Sequence, residues 1–278
     1  MFWYNNKLIN SQTIELDINN PGLLYGATTF TTLRIYNNSL TNPLTNWEMH
    51  IERIKTSIDF FNPHLNWQQP NYNQIYQGCQ VMKQHFPVLR ITVFPDGKEW
   101  ITGRNLPQDL AERQKNGISA IIASSDLSPW CKSPTLKRSL ANYKTGNYLT
   151  SWLSKSIAEN YNSQEAIFVD ESGNWLETTT GNLWGWKDGY WWTPPTDGKI
   201  LPGVMRSHLL NAFTNQHQQI REQPWTPELV NSLEAIAYSN SVVEIIPIHT
   251  IIQPTSTLKY NPHHRCLKRY KNVFISKQ

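Results

Sequence analysis

Apolar residues recur at three- and four-residue steps from Trp47 to Phe61 (Met49, Ile51, Ile54, Ile58, Phe61), the spacing of one helical face. The run predicts an amphipathic helix that ends before Pro63. A second helix is expected over Tyr72 to His85. Elsewhere the pattern shortens toward period two. Thr28 to Tyr36 is β-branched and aromatic enough for a strand, with Asn37-Asn38 as a following turn. Val88 to Phe94 predicts another strand, Pro95 to Lys98 its turn and Glu99 to Thr102 the return partner.

Leu106 to Gly117 turns polar, and the domain boundary is placed there: a small N-terminal α/β domain over 1–106, a linker over 107–117 and a larger, β-rich C-terminal domain over 118–278. The second part predicts strands at Ile118 to Ala123, Ala166 to Asp170, Asn174 to Glu177, Asn182 to Lys187, Tyr190 to Thr193 and Glu234 to Ser239, and a run at Val242 to Ile248. Helices are expected at Asn147 to Asn160 and Met205 to Thr214, and a Ser/Pro-rich loop reaches Leu136. Strands and helices in two unequal parts make the class α+β.

With 278 residues, 17% charged and 12% aromatic, the chain is long enough and apolar enough to bury a sizeable core, which excludes disorder and stapled mini-scaffolds. The net charge of +4 is compatible with a small anionic substrate. The one basic cluster, His263 to Lys271, is short enough to be a solvated face, and no nucleic-acid partner is expected. Met1 to Lys7 has neither a basic n-region nor an apolar h-region, and no apolar run approaches the roughly 18 residues of a membrane span. A cytoplasmic protein without a membrane partner is expected. Cys79, Cys131 and Cys266 are widely spaced, without a C-x-x-C pair, and His263-His264 with Cys266 fits no standard metal spacing, so no metal site is expected.

The chain lacks the P-loop, G-x-G-x-x-G, G-x-S-x-G and H-E-x-x-H signatures. Four segments remain. Ala141 to Leu149 sets Lys144 between tyrosines; a partly desolvated lysine there can keep enough neutral amine for a Schiff base, although a plain loop lysine also fits. Gly173 to Trp184 places Glu177 at the end of an apolar strand before a hydroxyl-rich turn. Ile200 to Arg206 closes a Pro-Gly loop before a helix, whose N-terminal N–H groups suit a phosphate. Tyr238 to Ile248 carries the small polar triplet Ser239-Asn240-Ser241 after a strand.

In this order, with Gly22 to Gly26 then Phe30 and the His50-Ile51-Glu52-Arg53-Ile54 helix, the segments resemble the fold-type IV family of pyridoxal-phosphate enzymes over nearly the whole chain. That family holds branched-chain aminotransferases, D-amino-acid aminotransferases and aminodeoxychorismate lyases. The resemblance implies the two-domain fold-type IV architecture with the cofactor lysine in the larger domain, pyridoxal 5'-phosphate as cofactor, and a homodimer. It makes Lys144 the catalytic and cofactor-linking lysine and Glu177 the partner of the pyridine nitrogen. Arg53, the N–H groups of Val204 and Met205, Asn240 and Ser241 become the phosphate ligands, and Tyr148 a pocket tyrosine.

The stretch Phe30-Thr31-Thr32-Leu33-Arg34 resembles the lyase branch, where a threonine at the position of Thr32 assists proton transfer; branched-chain transaminases show Phe-Glu-Gly-Ile-Arg. Val93 to Gly97 lacks the Arg-Gly of many relatives, which leaves Arg34, Arg90, Arg104 and Tyr25 as candidate substrate-binding residues. The expected reaction is the conversion of 4-amino-4-deoxychorismate to 4-aminobenzoate and pyruvate, toward folate. The alternatives are transamination of branched-chain or D-amino acids and, from another class, a non-catalytic binding protein.

Overall fold

The computed structural model describes residues 1–124 and 137–268. The Ser/Pro-rich loop with Cys131, and Arg269 to Lys271 of the basic end, lie outside the described residues. The chain divides into two units. The first takes Met1–Pro107 together with Tyr143–Asn147, and the second the remainder.

The first unit is β1 (Phe2–Tyr4), β2 (Lys7–Ile9), α1 (Pro21–Leu24), β3 (Thr29–Arg34), α2 (Trp47–Leu65), α3 (Tyr72–Met82), β4 (Val88–Val93) and β5 (Glu99–Arg104). Its sheet runs β2-β1-β5-β4-β3, antiparallel throughout. Strand alternation sends Leu33, Leu89, Ile91, Val93 and Ile101 to one face, where they form a dry core with Ile54 and Ile58 of α2 and Ile75 and Met82 of α3. The other face carries Phe30, Thr32 and Arg34, Arg90 and Thr92, and Trp100, Thr102 and Arg104.

Pro63, expected to stop α2, lies inside it. The helix runs to Leu65 and closes on Asn66 at φ 51°, whose N–H bonds to Asn62 O. A proline in the last turn removes a single N–H donor, and a left-handed asparagine supplies the stop. Helix α3 ends at Met82, short of the expected His85.

The second unit holds α4 (Leu110–Asn116), β6 (Ile118–Ile122), α5 (Leu149–Asn160), β7 (Glu165–Val169), β8 (Trp175–Thr178), β9 (Asn182–Lys187), β10 (Tyr190–Thr193), α6 (Val204–Asn215), β11 (Ile220–Glu222), α7 (Pro227–Ser232), β12 (Ala235–Asn240), β13 (Glu244–Ile252) and β14 (Thr257–Lys259). Its sheet follows β11-β10-β9-β12-β13-β6-β7-β8, and β8 pairs again with β9 so that six strands close on themselves. Closure removes free edges and fixes the β8–β9 turn at the rim. Trp184, Trp191 and Phe213 fill the core beside β9 and α6, with Trp191 stacked on Phe213 at 5.1 Å.

Two domain expectations need correction. The expected linker contains α4, which packs on β13 and buries Leu110, a place a tether would not take. Lys144, expected in the larger domain, falls in the segment Tyr143–Asn147 that joins the first unit. The reason is the unpaired edge of β3, whose backbone groups this segment satisfies.

Candidate active site

Lys144 is built into that edge. Phe30 N–H donates to Lys144 O at 2.8 Å, Gly146 N–H donates to Thr28 O at 2.8 Å, and Thr29 bridges antiparallel to Thr145. Pairing beside Phe30 puts Lys144 on the sheet face away from α2 and α3, with Nζ 4.8 Å from the Phe30 ring centroid. Tyr143 turns the other way and stacks on Phe60 of α2 at 4.2 Å. The approach demands glycine at 146: a Cβ there would lie 2.2 Å from Thr28 Oγ1 and 2.7 Å from Gly26 O.

Thr32 stands directly opposite Arg90 on the face that carries Lys144. Arg90 lies over the Phe30 ring, Cζ 3.7 Å from its centroid, and its Nε donates to Thr92 Oγ1 at 3.3 Å. Arg34 and Arg104 both pair with Val88 on this face; Arg34 covers the Tyr36 ring at 4.6 Å and Arg104 is exposed. Three of the four substrate-binding expectations therefore share one face with the lysine. Tyr25 stands apart, 77% exposed in the loop after α1.

Arg53 is half-buried on α2, one turn beyond the fully buried His50, whose Nδ1 pairs with Thr31 Oγ1 at 2.6 Å. Burial, reinforced by the Arg53 and Lys144 cations, holds the His50 pKa well below the ordinary 6.5. The unfolded chain therefore takes up this proton first. The stability this residue contributes is complete above pH 6.5 and is lost as pH falls below that value. Urea midpoints measured through this window should decline, and His50→Gln should flatten part of the slope; superimposable slopes would deny His50 the effect.

In the second unit Glu177 is the next-to-last residue of β8 and is buried. Arg138 Nε and Nη2 donate to its Oε1 at 2.8 and 2.7 Å, and Leu201 N–H donates to Oε2 at 3.1 Å. Arg138 also donates to Ala141 O at 2.7 Å. No motif pointed to Arg138; its only signal was a cation six residues before Lys144. Tyr148 donates to Thr179 O at 2.9 Å, and burial pushes its phenol up to about 12.

Helix α6 begins after Gly203 with no side-chain cap and no acidic residue in its first turn. Val204 and Met205 are its first residues, and Arg206 anchors it through Pro194 O at 2.9 Å and Glu222 at 2.6 Å. Asn182 donates to Leu201 O at 2.8 Å, while its Oδ1 lies where a Cβ on residue 203 would come within 2.0 Å. Asn240 is tied into its own turn. Its Oδ1 accepts the N–H groups of Val242 and Val243 at 2.9 and 3.0 Å and its Nδ2 donates to Thr180 Oγ1 at 3.4 Å, so the side chain shapes the turn that presents half-buried Ser241.

A family model, amino-transferase class IV, matches residues 28–251. The chain belongs to this family. The branched-chain-amino-acid aminotransferase of Salmonella typhimurium is 22% identical over 267 residues, covering 90% of this chain and 84% of that one. The D-alanine aminotransferase of Listeria monocytogenes is 24% identical over 268 residues, covering 88% and 85%. A Legionella pneumophila structure provisionally assigned as a 4-amino-4-deoxychorismate lyase shares the fold with a TM-score of 0.76 at 17% identity, covering 97% of each chain. Class IV enzymes work with pyridoxal phosphate, and this chain is a pyridoxal-phosphate-dependent enzyme of the two-domain α+β fold-type IV class. Among the described residues no helix is long and apolar enough to cross a membrane.

Proposed function

We propose that the chain is a lyase that converts 4-amino-4-deoxychorismate to 4-aminobenzoate and pyruvate. The observation that carries this reading is the Thr32 hydroxyl, cross-strand from Arg90 on the face that bears Lys144. A hydroxyl can relay a proton where the glycine of branched-chain transaminases cannot. On that face β3, β4 and β5 carry Arg34, Arg90 and Arg104 and no carboxylate; Glu99, their one acidic residue, is buried and accepts from Trp3 Nε1. An anionic, dicarboxylate substrate suits such a surface. Arg90 is the first choice for a carboxylate, because it shares the Phe30 ring with the lysine.

The donor set suits the cofactor. A carboxylate accepts about four hydrogen bonds, and the three that Glu177 accepts among the described residues leave Oε2 able to take one more, the place for a pyridinium N–H. The uncapped start of α6 at Val204 and Met205, Ser241 and Arg53 are assigned to the phosphate, and Tyr148 to the pocket wall. When bound, the cofactor supplies an electron sink for a carbanion beside the substrate nitrogen. Lys144 removes the proton from the amine-bearing carbon. The bond to the enolpyruvyl oxygen breaks as the ring becomes aromatic, and Lys144, assisted by Thr32, returns a proton to the methylene carbon of the departing enol, giving pyruvate.

Purified protein saturated with pyridoxal phosphate and mixed with aminodeoxychorismate, without an amino acceptor, should release 4-aminobenzoate and pyruvate in equal amounts. Thr32→Gly should slow this release at least about tenfold while the absorption band of the lysine-bound cofactor persists; an unchanged rate removes the role given to Thr32. The curated relatives favour a second reading, aminotransfer on branched-chain or D-amino acids. Absence of both products with the cofactor band intact would select it, and a panel of L- and D-amino acids with 2-oxoglutarate would define the donor.

A further inference from the structure

The turn after Glu177 is held by a residue that no motif singles out. Glu165, the first residue of β7, is 1% exposed. Its Oε1 accepts the Thr180 hydroxyl at 2.5 Å and its Oε2 the Thr179 hydroxyl. Lys155 Nζ lies 3.8 Å from Oε1 on a side chain 40% exposed. A carboxylate this buried is costly unless it is paired, and in a low-dielectric setting its two hydroxyl donors bind it strongly.

The two threonines are the meeting point of the segments assigned to the cofactor in this unit. Tyr148 donates to Thr179 O at 2.9 Å, and Asn240 Nδ2 donates to Thr180 Oγ1 at 3.4 Å. Glu177 and Asn182 pair across the same turn. Its far side has no slack, since a Cβ on Gly181 would come 2.3 Å from Ser239 O. The turn is therefore fixed between β12 on one side and Glu165 on the other. The backbone bond from Thr179 N–H to Ala166 O at 2.9 Å sets its height, but it restrains neither hydroxyl.

We infer that Glu165 is a positioning residue for the cofactor: by clamping the Thr179 and Thr180 hydroxyls it orients Glu177 toward the pyridine nitrogen and the Asn240–Ser241 turn toward the phosphate. The inference rests on the assignment of Glu177 and Ser241 to the cofactor. Glu165 itself touches neither substrate nor cofactor.

The test compares wild type with Glu165→Gln, Glu165→Ala, Thr180→Val and Glu177→Gln. Three quantities are read: pyridoxal-phosphate affinity from absorbance titration of apoprotein, the 31P resonance of the bound cofactor, and the apoprotein Tm. With both hydroxyls released from the clamp, Glu165→Ala is expected to weaken cofactor binding by about tenfold or more and to shift the 31P resonance. Glu165→Gln, which keeps one acceptor oxygen, should recover part of the affinity, and Thr180→Val should resemble it. If Glu165→Ala does not fold, Thr180→Val and Glu165→Gln carry the test. Affinities within about twofold of wild type with an unmoved 31P resonance would overturn the inference. So would an apoprotein Tm that falls while affinity and resonance stay put, the mark of a merely structural clamp. A response of Glu177→Gln without one of the Glu165 and Thr180 variants refutes this inference alone, whereas an unresponsive Glu177→Gln refutes the cofactor assignment beneath it.

Discussion

Lys144→Ala should be devoid of turnover, a loss of at least about 10⁴-fold, while the protein stays folded and still takes up pyridoxal phosphate. The expectation of intact folding comes from how the lysine is held. What ties this segment to β3 is backbone: the carbonyl of Lys144 accepts Phe30 N–H, and Gly146 donates to Thr28. Alanine keeps both bonds. The side chain adds the approach of its ammonium to the Phe30 ring at 4.8 Å, which is worth about 0.5–1 kcal/mol at a partly exposed site. The phosphate ligands assigned here are elsewhere in the chain, so cofactor should bind reversibly without the absorption band of the lysine-linked form. The informative measurement is product release with either substrate class, alongside absorbance and Tm. Residual turnover in the alanine variant above the rate of free pyridoxal phosphate would deny Lys144 its part in proton transfer.

Patterns that are local in the sequence were legible, and those that depend on pairing across the chain were not. The three-four spacing of Met49 to Phe61 gave α2 because one face must meet the sheet, and the β-branched runs gave β3 and β4 to within two residues. Pro63 misled because its cost depends on how near the helix end it lies. The stretch 107–117 looked like a tether because α4 buries little more than Leu110, too narrow an apolar stripe to show a period. Lys144 was expected in the larger domain, and the fold groups it with the first unit. Its neighbours in sequence belong to the second unit, while its partner is the edge of a strand more than a hundred residues earlier. Asn240 shows the same limit: a polar side chain before a turn offers donors and acceptors, and only the fold decides that its Oδ1 is taken up by the Val242 and Val243 N–H groups. Arg138 and Glu165 carry no local signal, since what makes them matter is the carboxylate or hydroxyls they meet at a distance of 14 to 39 residues.

Arg138→Ala should destabilise the second unit by about 3–5 kcal/mol. The side chains of Arg138 and Glu177 are 7% and 5% exposed, so removing the guanidinium leaves a desolvated carboxylate with, among the described residues, the Leu201 N–H as its remaining donor. At about 2–4 °C per kcal/mol for a unit of this size, Tm should drop by roughly 10 °C. The loss reflects the stranded charge more than the value of the pair. The variant with both Arg138→Met and Glu177→Gln should therefore recover most of the stability, by removing the charge together with its partner. It should not recover turnover, because glutamine offers no negative partner for a protonated pyridine nitrogen. Arg138→Lys separates the two effects further. It keeps a cation near the carboxylate but loses the two-nitrogen approach to Oε1 and the bond to Ala141 O, so its Tm should lie between those of alanine and wild type. Were Arg138→Ala to melt with wild type, the pair would not be the buried, coupled unit described here. Were the double variant active, Glu177 would have no electrostatic part in the reaction, and the role given to it would have to pass to another group. Stability and rate thus read different halves of the same contact, the arginine mattering for the first and the carboxylate for both.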